Sequence, residues 1–231
     1  MNWRVPRIWE GGDVWIIGGG PSVPKQFNVP DDIIKKVVGG SSPNLYSPFM
    51  SAIHTKHVIG INVAYLIGTW MDMVFFGDKG FFLTQQKGLG EFPGLKVACH
   101  PTMDDIPWVK NLERDRKRRG GISDNPGTVC WNKNSGAAAI SVAANAGAKR
   151  IILLGFDMKL ADDKGQHWHD IYGKRGREPK KGKPIMLPFD RHLRGFPEIA
   201  KDAKHRGIEI INVSPDSAIT CFRKATVEEV L

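Results

Sequence analysis

Cysteine is scarce. The chain has three, at 99, 130 and 221; no two are spaced as CxxC, and any disulfide pairing leaves one over. That excludes a disulfide scaffold and a four-cysteine zinc site, and it fits a reducing compartment. Long hydrophobic runs are missing too. Stretches such as the IILLGF after Arg150 fall far short of the ~20 apolar residues a membrane-spanning helix needs. The opening MNWRVPRIWEGGD lacks the apolar core and small-residue cleavage site of a signal peptide. A soluble, cytoplasmic protein is expected. No GxxxxGK[ST] occurs, which excludes a Walker A loop, and there is no internal repeat.

What is present is a core and an excess of positive charge. Hydrophobic residues make up 41% of 231, enough to bury a real core, so a wholly disordered chain is excluded. Lys and Arg number 33 against 24 Asp and Glu, a net charge of +9 that attracts polyanions such as nucleotides, nucleic acid or acidic sugars. The excess concentrates in two runs. Lys110 to Arg119 (KNLERDRKRR) reads as the solvated face of a helix. Gly173 to Pro184 (GKRGREPKKGKP), broken by glycine and proline, reads as a mobile basic loop suited to an anionic partner, with Lys180 and Lys181 at its centre.

Continuous apolar runs recur at Asp13-VWII, Val58-IGIN, Asp72-MVFFG, Leu95-KVAC, Arg150-IILLGFD and Ile208-EIINVS. Runs without alternation point to strands buried on both faces, as in parallel sheets. Helical patterns lie between them at Asp31 to Val38, at the alanine-rich Ser135 to Ala146, and at Arg191 to Arg206. Strand–helix alternation of this kind gives an α/β fold: one Rossmann-like open, mostly parallel sheet with helices on both faces. A single nucleotide-binding domain over residues 1–231 is expected, with loop insertions at about 39–56, 104–126 and 162–188.

Several residues at strand ends carry chemistry. Gly18, Gly19, Gly20, Pro21 and Ser22 follow the first strand directly, where flexible backbone can bring N–H groups against a phosphate. An added side chain at Gly20 is then expected to block a nucleotide while leaving the fold intact. Asn62, Asp78 and Asp157 end three further strands, so they converge on the crevice at the carboxyl edge of the sheet. Asn134, Ser135 and Gly136 open the alanine-rich helix, whose N-terminus suits an anion or ribose, although a plain N-cap explains Ser135 almost as well. His167, Trp168 and His169, near Asp162, Asp163 and Asp170, fit either a metal or a substrate lid with a stacking tryptophan. His192 stands at the start of a long helix, just after Pro188-Phe189-Asp190, where a lone histidine is more often a capping or surface residue than a catalytic one.

Three blocks together, GGGPS from Gly18, NSGAAAISVAANAGAKRIILLGFD from Asn134, and NVSPDSA from Asn212, resemble the bacterial sialyltransferases that use a CMP-activated sugar. They are similar also to the MptE-like 6-hydroxymethylpterin pyrophosphokinases and to phage proteins sometimes labelled norphogenetic, which share the Asp72-MVFFGD and His167-Trp168-His169 features. The resemblance implies that Gly18, Gly20, Pro21 and Ser22 hold the nucleotide phosphate, with Ser135 and Gly136 near the nucleotide and Asn62 near the transferring group. It places Ser214, Pro215 and Ser217 on the base or ribose side, and His192 as general base. Gly19 stands where those transferases have asparagine.

The function expected is a glycosyltransferase-like transferase moving a group from a nucleotide-activated donor to an acceptor hydroxyl, on phage DNA or a glycan, with His192, Asp157 and Asp78 as catalytic residues. One alternative is a pyrophosphokinase with Asp78 and Asp157 holding Mg²⁺ on ATP. Another is a non-catalytic phage protein that binds nucleotide or nucleic acid. The sequence assigns no metal site and no oligomeric state.

Overall fold

The computed structural model describes residues 3–40, 43–161, 165–169, 171–172 and 187–231. Among these residues ten strands run in chain order as β1 (Asp13–Ile17), β2 (His57–Ile61), β3 (Met73–Phe76), β4 (Leu95–Ala98), β5 (Lys110–Asn111), β6 (Glu113–Arg114), β7 (Thr128–Val129), β8 (Arg150–Leu154), β9 (Glu209–Asn212) and β10 (Arg223–Lys224). The helices are α1 (Ser22–Gln26), α2 (Asp31–Val38), α3 (Lys79–Glu91), α4 (Ser135–Asn145), α5 (Phe189–Leu193) and α6 (Phe196–His205).

Eight strands form one sheet in the order β10-β9-β8-β1-β2-β3-β4-β5, and every pairing in it is parallel. This is the Rossmann-like α/β fold, its six inner strands lying on the six apolar runs. The two edge strands, β5 and β10, hold two residues each and carry no run to read. Period-2 alternation splits the strands between two cores. Val14, Ile16, Ile59, Phe75 and Leu153 face α4 and α6. Trp15, Ile17, Val58, Phe76 and Leu154 face α1, α2 and α3. Helix α4 is buried from Ser135 to Ala144, and its small side chains let it lie close across β1, β2, β3 and β8.

Four elements differ from the sequence reading. The run from Lys110 to Arg119 is no helix face, since it carries the short strands β5 and β6. The helix expected over Arg191 to Arg206 is broken into α5 and α6 at Gly195, where any Cβ would lie 2.8 Å from the Asn132 amide oxygen. Helix α3 went unread because Gly80, Gly88 and Gly90 lower its intrinsic propensity. The stretch 39–56, expected as a loop insertion, carries short helical turns and sends three side chains into the core. Its described part forms 3₁₀ turns at Pro43–Leu45 and Ser47–Ile53, and Tyr46, Met50 and Ile53 are fully buried.

Candidate active site

Strand β1 lies between β8 and β2, so the chain order runs one way from β1 to β5 and the other way from β8 to β10. Such a switch point opens a crevice beyond the carboxyl ends of the strands. A cavity of about 1010 Å³ occupies it. Gly18, Gly19, Gly20, Asn62, Asp78, Asn134, Ser135, Gly136, Asp157, His167 and His192 all line this cavity.

At the β1/β8 end the glycines serve the fold first. The Gly18 N–H donates to Leu154 O at 2.8 Å and the Gly20 N–H to Gly155 O at 2.9 Å. The Ser22 N–H and hydroxyl both donate to Asp157 Oδ2, at 3.3 and 3.0 Å. A Cβ on Gly20 would sit 1.7 Å from that oxygen, and one on Gly18 would sit 2.7 Å from Gly155 O. Bulk at Gly20 therefore breaks the β1/β8 turn itself, and the expectation of an intact fold is corrected. Among the described residues, only the Gly19 N–H of this loop has no acceptor. The Gly19 carbonyl accepts from the Trp168 N–H at 2.9 Å, and a Cβ on Gly19 would meet His167 Nδ1 at 2.9 Å. Burial pushes the Asp157 carboxyl above its usual range, against the pull of the Ser22 bonds.

The last block of the sequence supports this turn. The fully buried Ser214 hydroxyl accepts from the Gly155 N–H at 3.1 Å and lies 3.1 Å from the Ser22 hydroxyl. Ser217 donates to Phe156 O at 2.6 Å and accepts from the Ile219 N–H at 3.1 Å. Neither lines the large cavity. Pro21, Ser22 and Pro215 line a smaller pocket of about 180 Å³ that shares Asp157 with it.

The α4 N-terminus forms the next wall. Asn134, rather than Ser135, is the cap, its side-chain oxygen accepting from the N–H groups of Gly136 at 2.9 Å and Ala137 at 3.3 Å. The chain enters through two left-handed residues, Asn132 at φ 51° and Lys133 at φ 54°. The Asn132 amide holds this turn through the Gly121 N–H, Gly121 O and Cys130 O. With the Gly136 and Ala137 N–H groups taken by the cap, Ser135 lines the cavity.

Beyond β2 and β3 the polar groups keep unspent capacity. Asn62 is left-handed at φ 53°, and its buried amide oxygen has no partner among the described residues. Asp78 holds the N-cap position of α3 but makes no capping bond, so its exposed carboxylate is available to the cavity. Arg114 bridges the ends of β3 and β4: Nε donates to Cys99 O at 2.7 Å, Nη2 donates to Gly77 O, and the guanidinium lies 3.7 Å above the Trp131 ring. Neither Arg114 nor Trp131 stood out in the sequence. The run from Lys110 hid the arginine among surface bases, and the short β6 carrying it gave no pattern. His192, half-buried on α5, is pushed below the usual imidazole range by burial first and Arg191 second, with Asp78 pulling the other way. That shift favours the neutral imidazole, whose Nε2 lies 3.5 Å from Arg191 Nη2.

The HWH segment divides. Trp168 is 6% exposed and packs with Tyr46 in the core, which removes its indole as a stacking surface for substrate. His169 is 7% exposed, neither ring nitrogen has a partner among the described residues, and burial with help from His167 lowers its pKa to about 3. The His167 ring stacks on His169 at 5.2 Å and faces the cavity. Among the described residues no group of three or more His, Cys, Asp or Glu side chains is placed to hold a metal. Lys180 and Lys181, with Asp162, Asp163 and Asp170, lie outside the described residues. Among those described, no helix is long and apolar enough to cross a membrane.

No family model matches the chain, and no curated protein does. Solved structures do. The MAf glycosyltransferase from Magnetospirillum magneticum AMB-1 is similar over 100% of this chain, at 13% identity and a TM-score of 0.58. This chain covers 36% of that one, about a third of its length. The sialyltransferase CstII from Campylobacter jejuni, in complex with cytidine-5'-monophosphate, aligns with 92% of this chain and 84% of its own, at 14% identity and a TM-score of 0.48. At such identities a likeness defines a fold, here one shared with a glycosyltransferase.

Proposed function

We propose that the protein is a glycosyltransferase-type enzyme that moves a group from a nucleotide-activated donor to an acceptor hydroxyl. One observation carries this reading. The polar groups of the strand ends stand in sequence along the crevice: the Gly19 N–H and Ser135 at the switch point, Asn62 next, then the uncommitted Asp78, with His192, whose Nε2 lies 3.5 Å from Arg191 Nη2, also lining the cavity. That order matches the parts of such a reaction. The donor phosphate rests on Gly19 and Ser135, where the α4 N-terminus favours negative charge. Asn62, at the end of β2, stands beside the transferred group. His192, neutral because it is partly buried, takes the acceptor proton as the new C–O bond forms. The donor C–O bond breaks in the same step, and its electrons return to the phosphate.

The resemblance to CMP-sugar sialyltransferases supports a cytidine nucleotide, and the phage proteins support a viral source. Asp78 also supports a Mg²⁺-dependent pyrophosphokinase, since its carboxylate is uncommitted, but Asp157 already accepts two bonds from Ser22. A thermal-shift screen over CMP, UDP, GDP, ADP and ATP, with and without Mg²⁺, tests the reading, because the tightest ligand stabilises most. CMP or UDP giving the largest shift without metal supports the transferase. A shift with ATP alone, dependent on Mg²⁺, moves the pyrophosphokinase ahead. No shift with any nucleotide defeats both.

A further inference from the structure

Arg114 is an arginine without a counter-ion. No carboxylate lies within ion-pairing distance of it among the described residues, although the exposed Asp78 shares its surroundings. Its position is fixed from three sides: by Cys99 O, by Gly77 O and by the face of Trp131. Gly77 is part of this construction, since a Cβ there would meet the Trp131 ring at 2.3 Å. A guanidinium pinned on two carbonyls and an indole is pre-organised, and its remaining N–H groups suit two oxygens of one oxyanion. It lines the cavity, so that oxyanion arrives with a ligand.

Placement says which ligand. Arg114 reaches the ends of β3 and β4, which lie two and three strands from β1. At about 4.8 Å per strand, it stands roughly 10–14 Å from the glycine loop. A phosphate resting on Gly19 cannot also be bound there. Between the two, at the end of β2, lies Asn62, the place of the transferring group. The far end of the crevice is left for the acceptor. Resting on the transferase reading above, we propose that Arg114 is an acceptor-recognition residue, selecting an acceptor sugar that carries a carboxylate or a phosphate ester.

Isothermal titration with the nucleotide site filled by CMP tests this, with glucuronate and glucose 6-phosphate as anionic probes and glucose as the neutral control. At least one anionic probe is expected to bind about tenfold or more tightly than glucose, and to weaken as salt is raised. Which of the two binds tells carboxylate from phosphate. Arg114→Gln should remove the difference while CMP affinity stays within about twofold. Arg114→Lys, which keeps the charge and one carbonyl bond, should retain part of it, and it serves as the reporter if the glutamine variant does not fold. Equal binding of all three sugars, or anion preference unchanged in both variants, overturns the proposal. So does a loss of CMP affinity in step with the loss of anion binding, since Arg114 would then serve the nucleotide. If neither CMP nor any other nucleotide binds the wild-type protein, the transferase reading falls instead. The sugars titrated without CMP would then show separately whether Arg114 selects anions.

Discussion

The two ends of the crevice are built differently. At the β1/β8 end the backbone is spent: Gly18, Gly20 and Ser22 have given their N–H groups to Leu154, Gly155 and Asp157, and Ser214 and Ser217 brace the turn from behind. At the β3/β4 end the side chains are held but not consumed. Asp78 caps nothing, His192 is neutral, and Arg114 has no carboxylate. A glycine cluster after a strand thus marks where two strand ends meet closely, and the ligand gets what the meeting leaves over.

The largest effect should come from breaking the spent end. Gly20→Ala puts a Cβ into Asp157 and Gly155, and neither the carboxylate nor the carbonyl can withdraw without losing its bonds. A loss of about 3 kcal/mol or more in urea unfolding is expected. At the other end, His192→Ala should cost about a hundredfold in turnover, the usual scale for a general base, with nucleotide affinity within about twofold of wild type. Because its pKa is lowered, the acid limb of the wild-type pH profile should fall below the ordinary histidine value of about 6.5.

His169 gives a stability signature between these two. Its folded pKa, about 3, is lower than its unfolded value, so only the unfolded chain takes up the proton as pH drops. Stability should be fully kept above pH ~6.5 and decline by about 1.4 kcal/mol per pH unit below it, down to the folded pKa. In His169→Phe that slope should flatten by one proton in urea melts run across the window. Removing the α4 cap with Asn134→Ala should cost about 1 kcal/mol. Asp78→Asn, at a helix start its side chain does not cap, should change stability by less than about 0.5 kcal/mol yet lower turnover about tenfold or more.

Much of the fold was legible because buried parallel strands write continuous apolar runs, and Asp13-VWII or Arg150-IILLGFD can be read without neighbours. Helix α3 was not, since its glycines are chosen for contact, Gly88 lying where a Cβ would meet the Tyr65 hydroxyl at 2.4 Å. In the site, residues at strand ends could be placed, because the sheet brings Asn62, Asp78 and Asp157 to one edge. Their roles could not. Whether Asn134 or Ser135 caps α4, or whether Trp168 faces solvent or Tyr46, depends on side-chain direction in three dimensions. Arg114 was hidden for the same reason: one base in a run of six becomes a binding group only when Gly77, Cys99 and Trp131 fold around it.

A crystal structure with CMP bound would decide how the crevice is divided. The phosphate is expected within hydrogen-bond distance of the Gly19 N–H and Ser135, about 3 Å, with Arg114 and His192 clear of it. A phosphate seated on Arg114, with the glycine loop empty, would contradict that division.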